Sequence, residues 1–277
     1  LPEKTPKYLA TTEGERFVHT NNCLGCHKLD GEGGAIWPST AMWLEEIAGS
    51  ENSEDMSIVQ SFSPPLLNTQ GQKVQPEWLL NWFQNISMIR PHLQVRMPSY
   101  DFTHEEWNSV ISYFQSKDGL SLIYENPHNF SKASDSYKAG EKIQEEGACI
   151  NCHFYGEMKP RQDALTWAPN LVLTKDRLRP EWLIDWFNDP QTVMPGTKMP
   201  APYIPVDEPI PDVKEYWGNE VASFVGDTTG MLYGLIDWMW GLKGKEDISA
   251  IVKEHLDDKG YGFITDDEDD EWGDDEW

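Results

Sequence analysis

The sequence predicts a mainly α-helical protein built from two similar halves, and two repeated patterns support this fold class. The first pattern is the motif C-L-G-C-H at residues 23–27, which recurs as C-I-N-C-H at residues 149–153. The second is a helix-like segment that begins at Pro76 and recurs at Pro180. Each motif precedes its own copy of the helical segment. We therefore expect two domains with the same order of elements.

Both motifs have the form C-x-x-C-H, which is typical of a covalent haem c site. Two cysteines three residues apart lie on one helical turn, where both thiols can add across the vinyl groups of a haem. The histidine that follows, His27 or His153, then faces the iron. A zinc site or redox dithiols would also use paired cysteines, but neither chemistry requires that histidine. The sequence predicts two haems, attached through four cysteines: Cys23, Cys26, Cys149 and Cys152.

The composition indicates an acidic protein outside the cytoplasm. The chain of 277 residues has 22 basic and 47 acidic side chains, which gives a formal net charge of −25. Such a surface repels nucleic acid and favours redox proteins or a membrane complex with a basic docking surface. Covalent haem points to a periplasmic or other extracytoplasmic location. Because the chain opens at Leu1 without a leader, we expect that a signal peptide or anchor has been removed.

Helical patterns precede both motifs. Residues 1–10 contain prolines and no periodicity, so we expect an extended lead-in, followed by a helix over residues 12–19. A similar helix is expected over residues 136–143. In each helix a glycine, Gly14 or Gly140, precedes an apolar residue by three positions, and this spacing would let a second helix cross closely.

The helices that begin at Pro76 and Pro180 carry the clearest internal repeat. Proline at the first helical position, followed by glutamate, is typical of a helix start. Tryptophan, leucine, tryptophan and phenylalanine then form one apolar face. We expect Trp78 and Trp182 to pack in the core against the edge of a haem.

The first half contains an insertion near residues 31–61, because the distance along the chain from motif to tryptophan helix is longer there than in the second half. No chemistry follows from its residues. We expect a helix and loop that cover a haem edge or meet a partner.

Each half resembles a class I cytochrome c domain, and the chain resembles the tandem dihaem members of that family over about residues 11–117 and 134–242. In the family, a proline carbonyl holds the ring N–H of the ligating histidine. Residues 62–67 align with residues 167–172 on this pattern. The resemblance assigns the carbonyl role to Pro64 and Pro169.

A methionine followed by proline comes after each tryptophan helix, at Met97 and Met199. Methionine usually fills gaps in a core. These two lie in proline-rich loops, and residues 195–199 match the distal-ligand loop of the family, so the resemblance implies that they ligate iron. Met194 and His92 are the alternatives in the second and first halves. The remaining histidines are expected at the surface: His19, His104, His128 and His255.

These elements predict three regions. Residues 1–125 form a first haem domain, residues 126–244 a second, and residues 245–277 an acidic C-terminal extension. The second domain should close with an apolar helix over residues 230–242, which is too short to span a bilayer and is expected to face a partner in part. Residues 266–277 are mostly acidic, and we expect this tail to contact a basic partner.

A haem held by histidine and methionine has both axial positions filled, so its task is one-electron transfer rather than catalysis. The resemblance therefore implies a dihaem electron-transfer protein, either a mobile carrier or the c-type subunit of a respiratory or photosynthetic membrane complex. A dihaem peroxidase is the enzyme alternative, but it needs a displaceable sixth ligand, which the matched methionines argue against. A structural haem subunit of a larger assembly is a third interpretation.

Overall fold

A computed structural model describes residues 5–49 and 54–262, and the protein is mainly α-helical, as the sequence predicts. A short hairpin joins β1, Lys28–Leu29, to β2, Glu32–Gly33. The helices of the described residues follow in chain order: α1 Pro6–Thr20, α2 Trp37–Ala48, α3 Met56–Phe62, α4 Gln70–Lys73, α5 Pro76–Gln84, α6 His104–Lys117, α7 Asp135–Glu146, α8 Thr174–Arg177, α9 Pro180–Asn188, α10 Pro190–Val193, α11 Ile210–Trp217, α12 Asn219–Ala222, α13 Thr228–Gly241 and α14 Ser249–Lys259.

Helix α1 begins earlier than the sequence analysis predicts, so the extended lead-in over residues 1–10 is wrong from Pro6 onward. The hydroxyl of Thr5 accepts a hydrogen bond from the Tyr8 N–H at 3.2 Å and caps the helix. Pro6 occupies the first position, where no N–H is needed. Threonine followed by proline is a start signal that outweighs the lack of periodicity in the first turn.

Two helix pairs cross closely, and the predicted role of the two glycines is confirmed. Helix α1 packs on α6, and α7 packs on α13. A Cβ atom on Gly14 would lie 2.4 Å from the carbonyl oxygen of Ser109, and one on Gly140 would lie 1.9 Å from that of Gly234. Side chains at these positions would hold the helices apart, so both crossings depend on glycine.

Helix α13 lies in the core, and the expectation that part of it faces a partner is wrong. Its residues from Met231 to Gly241 are buried, apart from the half-buried Tyr233, because α7 and α9 cover it. Its one carboxylate, Asp237, accepts from Ser136 at 2.9 Å and lies 2.6 Å from Nε2 of His128. His128 is therefore a partly buried partner of Asp237 and not the surface residue that its polar neighbours in the sequence suggested.

The two halves, residues 5–125 and 126–262, meet along a short stretch with local two-fold symmetry. Val74 and Leu178 form an antiparallel bridge. The N–H of Gln75 donates to the carbonyl of Arg177 at 2.9 Å, and the N–H of Arg179 donates to that of Lys73 at 3.0 Å. Each donor occupies the same place in its half, directly before the proline that starts α5 or α9. The repeated segments thus pair with each other.

The insertion predicted near residues 31–61 packs against the second half of the chain. It contributes α2 and α3, whose buried side chains form an apolar cluster with Leu165 and Tyr261. The rings of Phe62 and Tyr261 lie 5.8 Å apart. Contact of this segment with a haem edge or with a partner stays a prediction, and within the described residues the segment packs on the same chain.

None of the helices within residues 5–49 and 54–262 has the length and apolar character needed to cross a membrane. The acidic tail over residues 266–277 lies outside the described residues.

Candidate haem-binding sites

Both C-x-x-C-H motifs fold as a single tight turn. Residues Cys23–Gly25 and Cys149–Asn151 form 3-10 turns, and each is preceded by a left-handed residue, Asn22 with φ 53° or Ala148 with φ 48°. A non-glycine residue in this region carries strain, which persists only when the surroundings require it. The left-handed residue turns the chain sharply after α1 or α7, so each cysteine pair lies at the end of a packed helix. All four thiols are free.

The histidine of each motif is oriented by a proline carbonyl. Nδ1 of His27 lies 2.8 Å from the carbonyl oxygen of Pro65, and Nδ1 of His153 lies 2.8 Å from that of Pro169. Because a carbonyl can only accept, Nδ1 carries the proton in both rings. The other ring nitrogen, Nε2, is then a lone-pair donor suited to a metal.

The assignment of Pro64 to this role is wrong, because Pro65 supplies the carbonyl. The N–H of Leu67 donates to the carbonyl of Lys28, which follows His27, and Leu171 makes the same 2.9 Å bond to the residue after His153. Leu67 and Leu171 are therefore equivalent, and the proline two residues before each of them is Pro65 or Pro169. Two adjacent prolines in the first half had allowed an alignment shifted by one residue.

The protonation states at the motifs fit metal ligation. Burial lowers the pKa of both His27 and His153, so both imidazoles are neutral at physiological pH. Burial raises the pKa of Cys23 and raises that of Cys149 to about 11. A redox dithiol needs a thiol whose pKa is lowered. The raised pKa values therefore argue against the dithiol alternative.

The methionines predicted to be distal ligands lie near the motifs. Met97 is partly buried and packs on the same apolar cluster as Cys23 and Leu24. The sulfur of Met199 accepts from Nε1 of Trp186 at 2.8 Å. The side chain before it, Lys198, interacts electrostatically with the thiol of Cys152, which places this loop beside the second motif.

The tryptophans of α5 and α9 form matching stacks. The rings of Trp78 and Trp82 are 6.1 Å apart and inclined by 11°, and those of Trp182 and Trp186 are 5.0 Å apart and inclined by 16°. All four pack on one apolar core that includes residues of both halves. Their contact with a haem edge remains a prediction.

His92, the alternative ligand in the first half, is 3% exposed and lies between the two halves. Its ring makes edge contacts with Phe62 and with Trp167, at centroid distances of 6.1 Å. Nδ1 of His92 is buried and has no hydrogen-bond partner among the residues that the structure describes. No local pattern around this histidine indicates that aromatic rings would enclose it.

Three partly buried cations lie together beside the symmetric stretch, and sequence reasoning missed them. Nζ of Lys73 is 5.1 Å from the ring centroid of Trp182, and the guanidinium of Arg177 is 5.5 Å from that of Trp78. The third cation, Arg90, donates to the carbonyls of residues 61 and 63 at 2.7 and 3.0 Å. The one signal in the sequence is that Lys73 and Arg177 occupy equivalent positions in the repeat. That equivalence gains a chemical meaning only once the structure is known.

Among the described residues, these cations have no acidic partner. Desolvation lowers the pKa of Lys73 to about 7, and neighbouring Arg177 and Arg90 contribute to this shift. Desolvation also lowers the pKa values of both arginines to about 10. Within the part of the chain that the structure describes, no ion pair includes any of the three. Nε of Arg177 and Nε1 of Trp182 are buried without partners.

Unpaired, desolvated cations and unmet N–H donors are unfavourable unless an anion fills the space beside them. Haem carries carboxylates as propionates, and the residues present are of the type that would hold them. The electrostatic interaction of Arg90 with His27 places one of these cations near the first motif. By this criterion the chain fits haem. No three His, Cys, Asp or Glu side chains of the described ranges are grouped as ligands for a metal ion, and an iron held by one histidine and one methionine needs no such group.

Comparisons with known proteins show partial similarity to subunits of electron-transferring enzymes. The chain is 27% identical over 117 residues to the C subunit of nitric oxide reductase from Halomonas halodenitrificans, an alignment that covers 42% of this chain and 63% of that protein. It is 32% identical over 78 residues to cytochrome c oxidase subunit 2 of Bacillus subtilis, covering 25% of this chain and 22% of that protein.

No protein-family model and no solved structure matches the chain. The alignments cover less than two thirds of either curated relative. The similarities support a cytochrome-like protein.

Proposed function

We propose that the protein is a dihaem c-type cytochrome that passes single electrons between redox partners outside the cytoplasm. The observation that carries this proposal is the matched geometry of the two motifs. In each, a C-x-x-C turn is followed by a histidine whose Nδ1 is held 2.8 Å from a proline carbonyl oxygen. A dithiol has no use for a histidine fixed in one tautomer at the end of a cysteine pair, whereas a metal ligand does. The order C-x-x-C-H, with one histidine directly after each cysteine pair, favours haem over zinc.

The side chains divide the work in the same way in both halves. Cys23 and Cys26, like Cys149 and Cys152, would form thioethers to the porphyrin. His27 and His153 would ligate the iron through a ring nitrogen, and Met97 and Met199 would ligate it through sulfur. When bound, the iron would supply one-electron chemistry, with the methionine sulfur favouring the ferrous state. Iron held by both a histidine and a methionine would offer no ready place for peroxide, which is why we favour electron transfer over the peroxidase alternative.

The cation cluster, Lys73, Arg90 and Arg177, would hold haem carboxylates at the junction of the two halves. Residues from both halves contribute to it. Trp182 lies beside Lys73 of the first half, and Trp78 lies beside Arg177 of the second half. The cluster would therefore bring the two cofactors to one place and neutralise their negative charge. Such neighbours suit a short electron relay within a single chain.

We further propose that the protein works as a subunit of a membrane oxidoreductase complex in the periplasm or an equivalent compartment. The similarity to subunits of nitric oxide reductase and cytochrome c oxidase supports this. The net charge of −25 favours a basic docking surface on the partner, and the acidic residues 266–277 would add to this attraction.

Counting haems and identifying their ligands tests the proposal. Intact mass after acid extraction should exceed the mass of the polypeptide by two haem groups, and a Cys149→Ser, Cys152→Ser variant should retain one. Optical and magnetic spectra of the oxidised protein should show low-spin iron with histidine and methionine at both sites. A single haem, no haem, or a high-spin resting site would contradict it.

A further inference from the structure

The loop that carries Met199 is held by residues from both halves of the chain. Within its own half, the Gly196 N–H donates to the side chain of Gln191 at 3.2 Å, and the Met199 N–H donates to the Thr197 hydroxyl at 3.4 Å. From the first half, Nε2 of Gln60 donates to the carbonyl oxygen of Pro195 at 2.8 Å. Nε2 of Gln191 also donates to the carbonyl of Thr197, so the bond from Gln60 adds to restraints from within the second half.

Gln60 fits closely against the backbone of the loop. Gly196 has φ +82°, and a Cβ atom at this position would lie 2.7 Å from Oε1 of Gln60. The glycine thus serves two needs, since it permits the left-handed conformation and leaves space for the amide of Gln60. The amide contacts the carbonyl of Pro195 on one side and Gly196 on the other.

A second contact from the first half reaches the same loop. Asp55 accepts from the Ser57 N–H at 2.8 Å and caps α3. Its carboxylate also interacts electrostatically with Lys198, the residue before Met199. The carboxylate is exposed, so the attraction is weak. It nevertheless places the start of α3 beside the loop, one turn before Gln60.

Helix α3 is itself firmly placed. It comes from the inserted segment, and its residues Ile58, Val59 and Phe62 are buried in the apolar cluster that also contains Tyr261 of the second half. A hydrogen bond from a fixed helix restrains a loop better than one from a mobile side chain, because less freedom is lost when it forms. The inserted segment therefore has a structural basis for restraining the neighbouring loop.

We propose that Gln60 is a positioning residue for Met199, so that the inserted helix of one half holds the loop that delivers the sulfur to the iron of the other half. This rests on the proposed function, which assigns Met199 to the second iron. The insertion then makes the stability of the iron–sulfur bond in one half depend on the packing of the other.

The rate at which imidazole displaces the methionine tests this inference in the full-length, haem-loaded protein. Imidazole should bind the oxidised protein in two phases, and the phase altered by Met199→Ala belongs to the second haem. Gln60→Ala should accelerate that phase about fivefold, the effect of losing one neutral hydrogen bond. Gln60→Glu replaces the N–H donor by a carboxylate oxygen that faces the Pro195 carbonyl, and it should accelerate the phase at least as much. On heating, the methionine-to-iron charge-transfer band should begin to weaken at a lower temperature in both variants than in the native protein.

The matched control is Gln84→Ala, because Gln84 is an exposed glutamine of the first half on α5. It should leave both phases unchanged. If Met199→Ala alters the second phase but the Gln60 variants do not, the inference is wrong and the ligand assignment stands. If Met199→Ala alters neither phase, the assignment fails and the inference fails with it. Acceleration of both phases by the Gln60 variants would indicate general loosening and would also overturn the inference.

Discussion

Val74 and Leu178 form an antiparallel bridge between equivalent positions of the two halves of the chain. The residue before each of them is a cation, Lys73 or Arg177. Lys73 lies near Trp182 of the second half, and Arg177 lies near Trp78 of the first half. The arrangement is reciprocal, so the charges of both halves meet where the repeated segments pair. This junction provides a direct test of how the two proposed haems would be held.

We expect Lys73→Met to lower the reduction potential of at least one haem at pH 6, below the Lys73 pKa of about 7, where the amine is charged. A positive charge near the cofactor opposes the additional charge of ferric iron, so its removal stabilises the oxidised state. An interaction of about 1 kcal/mol, reasonable for partly buried charges, corresponds to roughly 40 mV for a one-electron couple. Redox titration would measure the shift. Lys245→Met, at an exposed ion pair with Glu157, is the control and should leave both potentials unchanged.

Met199→Ala should remove the methionine-to-iron charge-transfer band of one haem and lower that haem's potential. The thioether sulfur stabilises ferrous iron, and alanine cannot replace it. The opened position should also accept exogenous ligands. Optical spectra and redox titration are the measurements, with Met158→Ala as control because Met158 is 60% exposed. Retention of both charge-transfer bands in Met199→Ala would show that another residue, such as Met194, is the ligand.

Gly140→Ala should destabilise the fold by about 3 kcal/mol, because it overpacks the crossing of α7 and α13. The new Cβ would meet the carbonyl of Gly234 at 1.9 Å, and this backbone group cannot move without shifting a whole helix. Denaturant unfolding would measure the loss. Glu141→Ala, at the next and exposed position of α7, should change the free energy of unfolding by less than about 0.5 kcal/mol. Equal effects of the two changes would contradict the close crossing.

His92→Leu should make the protein less sensitive to acid. Burial, with help from Arg90 and Arg96, lowers the pKa of His92 to about 3, whereas in the unfolded chain it is about 6.5. Between these values the unfolded state binds more protons, so the free energy of unfolding falls as pH falls from about 6.5 toward 3. The slope contributed by one such group is at most about 1.4 kcal/mol per pH unit.

Unfolding curves recorded between pH 7 and pH 4 would show this slope in the native protein and a shallower one in His92→Leu. His19→Leu is the control, since His19 is exposed on α1. Parallel curves for the native protein and His92→Leu would mean that His92 can take up a proton without unfolding.

The sequence was sufficient for the features that depend on local chemistry. The C-x-x-C-H turns, the tryptophan helices and the capped start of α6 follow from residue types at fixed spacings, and these interactions lie within a few residues of each other. Even the glycine crossings could be predicted, because a glycine on a helix face leaves room for any helix that meets it. The local rules failed where two signals competed, as at Thr5 and Pro6, or where adjacent prolines permitted two registers, as at Pro64 and Pro65.

The relationships between distant segments were decided only by the tertiary structure. That Gln60 reaches Pro195, that His92 is enclosed by aromatic rings and that α13 is covered by α7 depend on how the two halves pack. The three cations are the clearest case. In the sequence, each of them resembles an ordinary surface residue. Only the pairing of Val74 with Leu178 brings Lys73 and Arg177 into one partly buried group. Residues far apart in the sequence determine together which charges are buried, so a local sequence pattern cannot predict it.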